Sequence, residues 1–493
     1  MDCDVLVIGS GFGGSVVALR AAAAGLRVVV LERGPRMTER LLDGLRTGRT
    51  PVLHRRHNAG LVQPLVTPSL MAMTFNAVGG GSHIYTGVTL PAPDEVFARH
   101  WPAGLGPETL APCYRRVEEV VRPSRIPAPV ARTVALETIG RRMNAPVTRL
   151  PVAMDWPLNA GVFDRAPPAR GLRRDLVTWL GGGPAAAKRT LDRTYLQQAE
   201  QHGADVRPLH EVRVIERAGE GYRVHVRRIP AASGNGRNGA AYLSARRVVI
   251  AAGTLNTVRL LLACRDRYHT LTDLSPALGR RFFTNGDFGA ALVGPAMPVE
   301  PDSGPPVTAW IDLWKEDRLY LMETGLSPVF GRLIRCLLGP ALRARGLFRK
   351  TANGGPARCV WTFGVMGFED TPGTLRLTRR GSLSYACDGE PDRRFDGRRR
   401  SRLRELARAA GATLLMPPHL PANRHTVTIH PLGGAALADS PDDGVTDPLG
   451  EVFGHPGLYI SDGSLFPTPT GGPPSMPIAA MAERVAAGLI ASC

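Results

Sequence analysis

Val5-Leu6-Val7-Ile8-Gly9-Ser10-Gly11-Phe12-Gly13-Gly14-Ser15 decides how the rest of the chain is read. Four apolar residues predict a short buried strand, and a helix-like run from Ser15 to Ala24 comes after the glycines. Gly25 ends that run, and Arg27 to Leu31 is a second apolar strand that stops at Glu32. The unit is strand–helix–strand with Gly9-x-Gly11-x-x-Gly14 at its turn. Gly9 permits the tight turn, Gly11 lets backbone approach a pyrophosphate, and Gly14 lets helix and strand pack closely. The helix N-terminus then faces the phosphates. Glu32 stands roughly 20 residues on, where an acid binds the ribose hydroxyls of a dinucleotide. An acid there disfavours a 2′-phosphate, which leaves FAD and NAD and argues against NADP.

Further along, Gly79-Gly80-Gly81-Ser82 suits backbone pressed against a flat ligand or its phosphates, because side chains would collide. His83 beside it reads as an ordinary polar residue. Val206 to Ile215 and Tyr222 to Arg228 read as strands, with Gly234 to Gly239 as a flexible turn. Val248 to Ala252 is a buried strand closed by Gly253, and Asn256 to Cys264 is helical. Arg358 to Phe368 and Leu375 to Leu377 are strand-like, Arg393 to Ala410 is a basic helix, and Met476 to Ile490 is an Ala-rich helix. The expected fold is α/β: a Rossmann-like dinucleotide-binding domain (1–98, 186–268, 425–493) with an inserted α+β substrate domain on an antiparallel sheet (99–185, 269–424).

A chain of 493 residues is long enough for two such cores. No apolar run reaches the roughly 18–20 residues of a membrane span. Asp2 and Asp4 precede the first apolar stretch, where a secretory signal would be basic. The seven cysteines are scattered and form no Cys-x-x-Cys, which argues against a disulfide framework or a zinc site. These features predict a cytoplasmic protein. The net charge of +18 is carried mainly by arginine. Its densest runs, Arg398-Arg399-Arg400 and 170–174, lack the interleaved aromatics of a single-strand platform, so no nucleic-acid partner is expected.

Near the tail stand His430-Pro431-Leu432-Gly433-Gly434 and Tyr459-Ile460-Ser461-Asp462-Gly463-Ser464. With the head motif, Val78 to Ser82 and Ala251-Ala252-Gly253-Thr254-Leu255, they keep from end to end the order of the glucose-methanol-choline (GMC) oxidoreductases. The chain resembles that family, in its cholesterol-oxidase-like branch. The resemblance implies non-covalent FAD and oxidation of an alcohol by hydride transfer to the flavin. It assigns His430 to the substrate hydroxyl and Asp462 to the flavin's chain. It makes Glu323, in Leu319 to Thr324, the counterpart of the glutamate that moves a proton in steroid isomerisation. The expected cofactor set is Gly9, Gly11, Phe12, Gly13, Gly14, Glu32, Gly79, Gly80, Gly81, Ser82, Val212, Gly253, Asp462 and Pro473, with no metal. One departure stands out. Relatives carry Asn or His before a proline shortly after Asp-Gly-Ser, as a second catalytic polar group; here Pro473 takes that place and offers no donor.

A hydride leaves a carbinol carbon readily only as its hydroxyl proton departs, and a neutral imidazole suits that transfer. The expected activity is therefore FAD-dependent oxidation of an alcohol on a bulky apolar, steroid-like molecule. Two alternatives stand beside it: a flavoprotein that isomerises its substrate without net oxidation, and a flavin-binding protein without turnover. Residues 326–350 form a basic amphipathic segment suited to peripheral contact with an anionic membrane, or to a lid on the substrate domain. The number of subunits is not readable from the sequence.

Overall fold

The computed structural model describes residues 1–54, 60–156, 188–230, 240–301, 304–325, 360–389, 392–416 and 426–493. The expected turn at 234–239, the basic run at 170–174 and the amphipathic segment 326–350 lie outside them.

Strand Cys3–Ile8 sits between Val28–Leu31 and Ala240–Ile250, parallel to both. Leu458–Ile460 adds in parallel to the last residues of Ala240–Ile250. The register aligns Ile8 with Leu31 and with Ile250, and Ile250 with Ile460. Four strands from distant parts of the chain therefore end along one edge. Their next residues meet there: Gly9, Glu32, Ala251 to Gly253, and Ser461-Asp462. Such carboxyl ends are where open α/β sheets bind ligands. Every side chain of Val28–Leu31 is buried, as a strand covered on both faces requires. Asp205–Arg207 extends the sheet on one side. The hairpin of His210–Ala218 and Gly221–Arg228 joins antiparallel on the other.

Helix Phe12–Ala23 covers this sheet and packs on the tail helix Ser475–Ala491. Arg20 and Glu483 pair across that contact at 2.8 Å, with the Glu483 side chain fully buried. Head and tail of the chain thus share one core.

A second, six-stranded sheet is wholly antiparallel. Its strands include Phe288–Val293, Leu319–Thr324 and Val360–Gly367. One face, with Ala290, Leu292, Leu321, Phe363 and Val365, packs into a core with Leu136, Ile139, Leu403 and Leu406 from helices Ala131–Arg142 and Arg393–Ala410. The opposite face presents Gly289, Ala291, Met322, Thr324, Thr362 and Gly364 to a cavity. The arginines at 398–400 have structural surroundings here. Arg399 and Arg400 pair with Asp396 at 2.7 and 2.9 Å and lie over the Phe288 ring.

Two small sheets connect the halves. Leu432–Gly433 pairs antiparallel with Phe282–Phe283, which pairs with Gly373–Leu377. Thr426–Thr428 lies parallel to Leu70–Phe75. His430 sits between these two pairings, so the backbone on both sides of it is held. Gly433 has φ +77°, and a Cβ there would run into the Arg281 carbonyl, so only glycine fits the turn. Among the described residues no helix is long and apolar enough to cross a membrane. Cys3, Cys113, Cys264, Cys387 and Cys493 are free thiols.

Candidate active site

One cavity of ≈ 1030 Å³ runs from the carboxyl edge of the parallel sheet to the open face of the antiparallel sheet. At the first end it is lined by Gly9, Gly11, Phe12, Gly13, Glu32, Val212, Gly253 and Asp462. The glycines divide by geometry. A Cβ on Gly13 would strike the Ser461 carbonyl, and one on Gly14 the Gly9 carbonyl, so both serve close packing. A Cβ on Gly11, Gly81 or Gly253 would meet no atom of the described residues within 4 Å. Those three positions form a cradle open to a ligand.

Glu32 accepts from Ser10 N at 3.2 Å, Ser10 Oγ at 2.7 Å and Gly34 N at 2.7 Å. Three protein donors leave about one of a carboxylate's four acceptor sites, which a ribose hydroxyl would fill. Burial pushes the Glu32 carboxyl up, against the pull of these donors. Asp462 differs. It accepts from Gly253 N, Thr257 Oγ1, Ser464 N and Ser464 Oγ, so its capacity is full. It lines the cavity while bracing the tail turn against helix Thr254–Asp266.

At the same end Arg259 lines the cavity, and among the described residues its buried Nε has no hydrogen-bond partner. Burial lowers its pKa. Arg33 is also desolvated, down to about 10. A guanidinium Nε without a partner, in one cavity with an open glycine cradle and a carboxylate with one free acceptor site, fits a bound dinucleotide.

Three expected cofactor contacts stand back from the cavity, whose lining does not include Gly14, Gly79 or Ser82. Gly79 N donates to Ser10 Oγ at 3.1 Å. Ser82 Oγ donates to the Gly79 carbonyl at 2.7 Å and accepts from Leu191 N at 3.0 Å. They shape the loop, while Gly80 and Gly81 meet the cavity. His83 is buried behind the same loop with Nε2 2.7 Å from the Val78 carbonyl oxygen.

His430 lines the cavity. Its Nδ1 lies 2.8 Å from Asp287 Oδ1, and among the described residues its Nε2 has no hydrogen-bond partner. Asp287 Oδ2 accepts from Thr428 Oγ1 and from the N–H groups of Ile429 and His430 at 2.9 to 3.0 Å. Sequence reasoning missed Asp287. The only local signal is Asn285-Gly286, a pair suited to positive φ, and both residues adopt it (58° and 64°). The turn swings Asp287 under the histidine.

Pro473 lines the cavity beside Pro474 and Ser475. Neither Ser475 nor Thr470 simply takes over the missing polar role. Ser475 Oγ donates to the Val88 carbonyl at 3.0 Å, and Thr470, outside the lining, donates to the Gly472 carbonyl at 2.8 Å.

Glu323 requires a correction. It is fully buried but faces away from the cavity. Alternation along Leu319–Thr324 sends Met322 and Thr324 to the cavity and Glu323 to the helix side. There Arg132 Nε pairs with it at 2.7 Å, and Thr308 N donates at 2.7 Å. A carboxylate so enclosed does not reach a substrate.

Comparisons with known proteins point the same way. Residues 404–482 match the family model described as GMC oxidoreductase, and residues 4–40 match an FAD binding domain. A cholesterol oxidase of Mycobacterium tuberculosis is 29% identical over 98% of this chain and 90% of its own length. The fold is shared with pyridoxine 4-oxidase from Mesorbium loti (TM-score 0.64, 16% identity, 99% of each chain). It is shared equally with a fungal aryl-alcohol oxidase (TM-score 0.65, 14% identity, 100% of this chain and 99% of the other).

Proposed function

We propose that this chain, which is similar to the GMC oxidoreductases, is an FAD-dependent enzyme that oxidises a hydroxyl on a bulky, apolar, steroid-like molecule, with His430 as the base. The observation that carries this reading is the unpartnered Nε2 of His430 in the same cavity as the dinucleotide cradle. FAD, when bound, supplies the hydride acceptor. Gly11, Gly81 and Gly253 would lie against its chain, Glu32 would hold a ribose hydroxyl, and Arg259 would meet the adenosine half. His430 Nε2 would take the hydroxyl proton as the hydride leaves the same carbon.

The other end of the cavity supports an apolar substrate. Ala291, Met322, Met366 and Leu415 line it, with Thr324 and Thr362 as its hydroxyls. Met73, Val427 and Ile429 line it too and are exposed on the outer surface, which suits entry of an apolar molecule. The enclosure of Glu323 by Arg132 favours oxidation over isomerisation, since the proton carrier of the second reading is out of reach.

The test is anaerobic addition of aliphatic, aromatic and steroid alcohols to the FAD-loaded protein. The expected result is bleaching of the flavin by apolar secondary alcohols, with products two hydrogens lighter. Products of unchanged mass would replace this reading with isomerisation. A flavin that no alcohol bleaches would replace it with binding alone.

A further inference from the structure

We propose that Asp287 is a positioning residue for the chemistry: it holds the His430 ring with its proton on Nδ1, leaving Nε2 bare toward the substrate hydroxyl. The inference rests on the reading of His430 as the base and adds the group that makes it one.

The two oxygens of Asp287 have separate partners. Oδ2 takes all the structural work, accepting from Thr428 Oγ1, Ile429 N and His430 N. Oδ1 faces His430 Nδ1 at 2.8 Å. A brace for the turn needs only Oδ2. An ionised carboxylate can only accept, so a ring nitrogen at this distance carries hydrogen. In the neutral ring the other nitrogen is then an acceptor, and in His430 that is the one without a protein partner among the described residues.

The carboxylate is held firmly. Its side chain is 9% exposed and that of His430 is 23% exposed. The turn that delivers it is pinned by Asn285, whose Nδ2 donates to the Gly472 carbonyl at 2.8 Å. Asn285 Oδ1 accepts from Thr470 N and Gly471 N, each at 3.0 Å. One turn thereby fixes both Asp287 behind the histidine and the loop that carries Pro473. On the substrate side of the ring the polar partner is absent at Pro473; on the rear side a charge is present at Asp287. In the step, the substrate O–H proton would pass to His430 Nε2 and the carbon–oxygen double bond would form as the carbinol hydrogen leaves as hydride, for which bound FAD would supply the acceptor. The imidazolium so produced lies against the Asp287 carboxylate, which stabilises it.

The test uses FAD-loaded full-length protein labelled with nitrogen-15 at histidine, at a pH where the ring is neutral. The His430 signals are identified by their loss in His430→Gln. The wild-type ring is expected to show hydrogen on Nδ1 and none on Nε2. In Asp287→Asn the amide opposes Nδ1 and the proton moves to Nε2. Flavin reduction by alcohol then falls about 10²- to 10⁴-fold, the scale of such a tautomer error, with FAD still bound; Asp287→Glu restores part of the rate. A wild-type ring with its proton on Nε2, or an Asn variant with unchanged tautomer and rate, overturns the proposal. The wild-type spectrum decides even if the Asn variant does not fold. It also decides if no alcohol reduces the flavin, which would count against the reading of the function and not against Asp287.

Discussion

Arg132 and Glu323 form an ion pair at 2.7 Å in which neither side chain is exposed to solvent. Arg132 also donates to the Pro305 carbonyl, and Thr308 completes the carboxylate's set. The pair sits between helix Ala131–Arg142 and strand Leu319–Thr324, on the side of the sheet away from the cavity. Its consequences are structural. Glu323→Gln should leave a buried guanidinium without its counter-charge and destabilise the fold by about 3–5 kcal/mol. Turnover by the fraction that stays folded should be unchanged. Thermal unfolding read beside flavin-reduction rates separates the two effects. A stable variant with lost activity would return Glu323 to the chemistry.

Two neighbouring glycines should fail in different ways. Gly11→Val has open space for its side chain, so the apo-protein should keep its melting temperature while FAD binding weakens up to about 100-fold, the scale of a few kcal/mol of overpacking. Gly13→Val would drive into the Ser461 carbonyl and should lower the melting temperature of the apo-protein itself. Apo-protein melting curves and FAD titrations check both. Equal melting temperatures for the two variants would contradict the division of roles.

Lys188 sets a pH dependence. Burial pushes its ammonium down to about 7, and its Nζ donates to the His83 carbonyl oxygen at 3.1 Å. Below pH 7 the amine is charged in both states and the burial cost is fully present. Between about 7 and the ordinary lysine value near 10.4 the unfolded chain binds more protons than the folded one. Stability should therefore rise with pH through that window, on the order of 4 kcal/mol from this group. Lys188→Met should flatten the slope, as read by denaturant melts from pH 6.5 to 10. An equal slope in wild type and variant would contradict it.

At Pro473 a donor can be added. Pro473→Asn places an amide on the cavity wall, where an extra hydrogen bond to the developing alkoxide should speed flavin reduction by about 10-fold or more. Stopped-flow reduction of the two proteins is the check. A slower variant would mean that the proline itself shapes the substrate pocket.

The cofactor end was legible because four of its motifs come directly after a buried apolar strand. Gly9 succeeds Ile8, Glu32 succeeds Leu31, Ala251 succeeds Ile250, and Ser461 succeeds Ile460; parallel pairing then brings all four to one edge. The helix at Arg393–Ala410 was legible from its own charge pattern and is capped by Asp392. Glu323 was misread because the facing of a strand residue turns on a single position, and an apolar stretch on both sides hides the parity. Gly79 and Ser82 stand outside the cavity lining, and a run of small residues does not say which of its members faces a ligand. Asp287 stayed hidden because its contact with His430 spans 143 positions and depends on a two-residue left-handed turn.

In the proposed reaction His430 receives the hydroxyl proton of an apolar alcohol in a cavity shared with FAD. Anaerobic stopped-flow reduction of His430→Gln beside wild type, with the best alcohol of the panel, tests it most directly. The variant is expected to retain FAD and to be reduced at least about 100-fold more slowly. Reduction at the wild-type rate with FAD retained would contradict the claim.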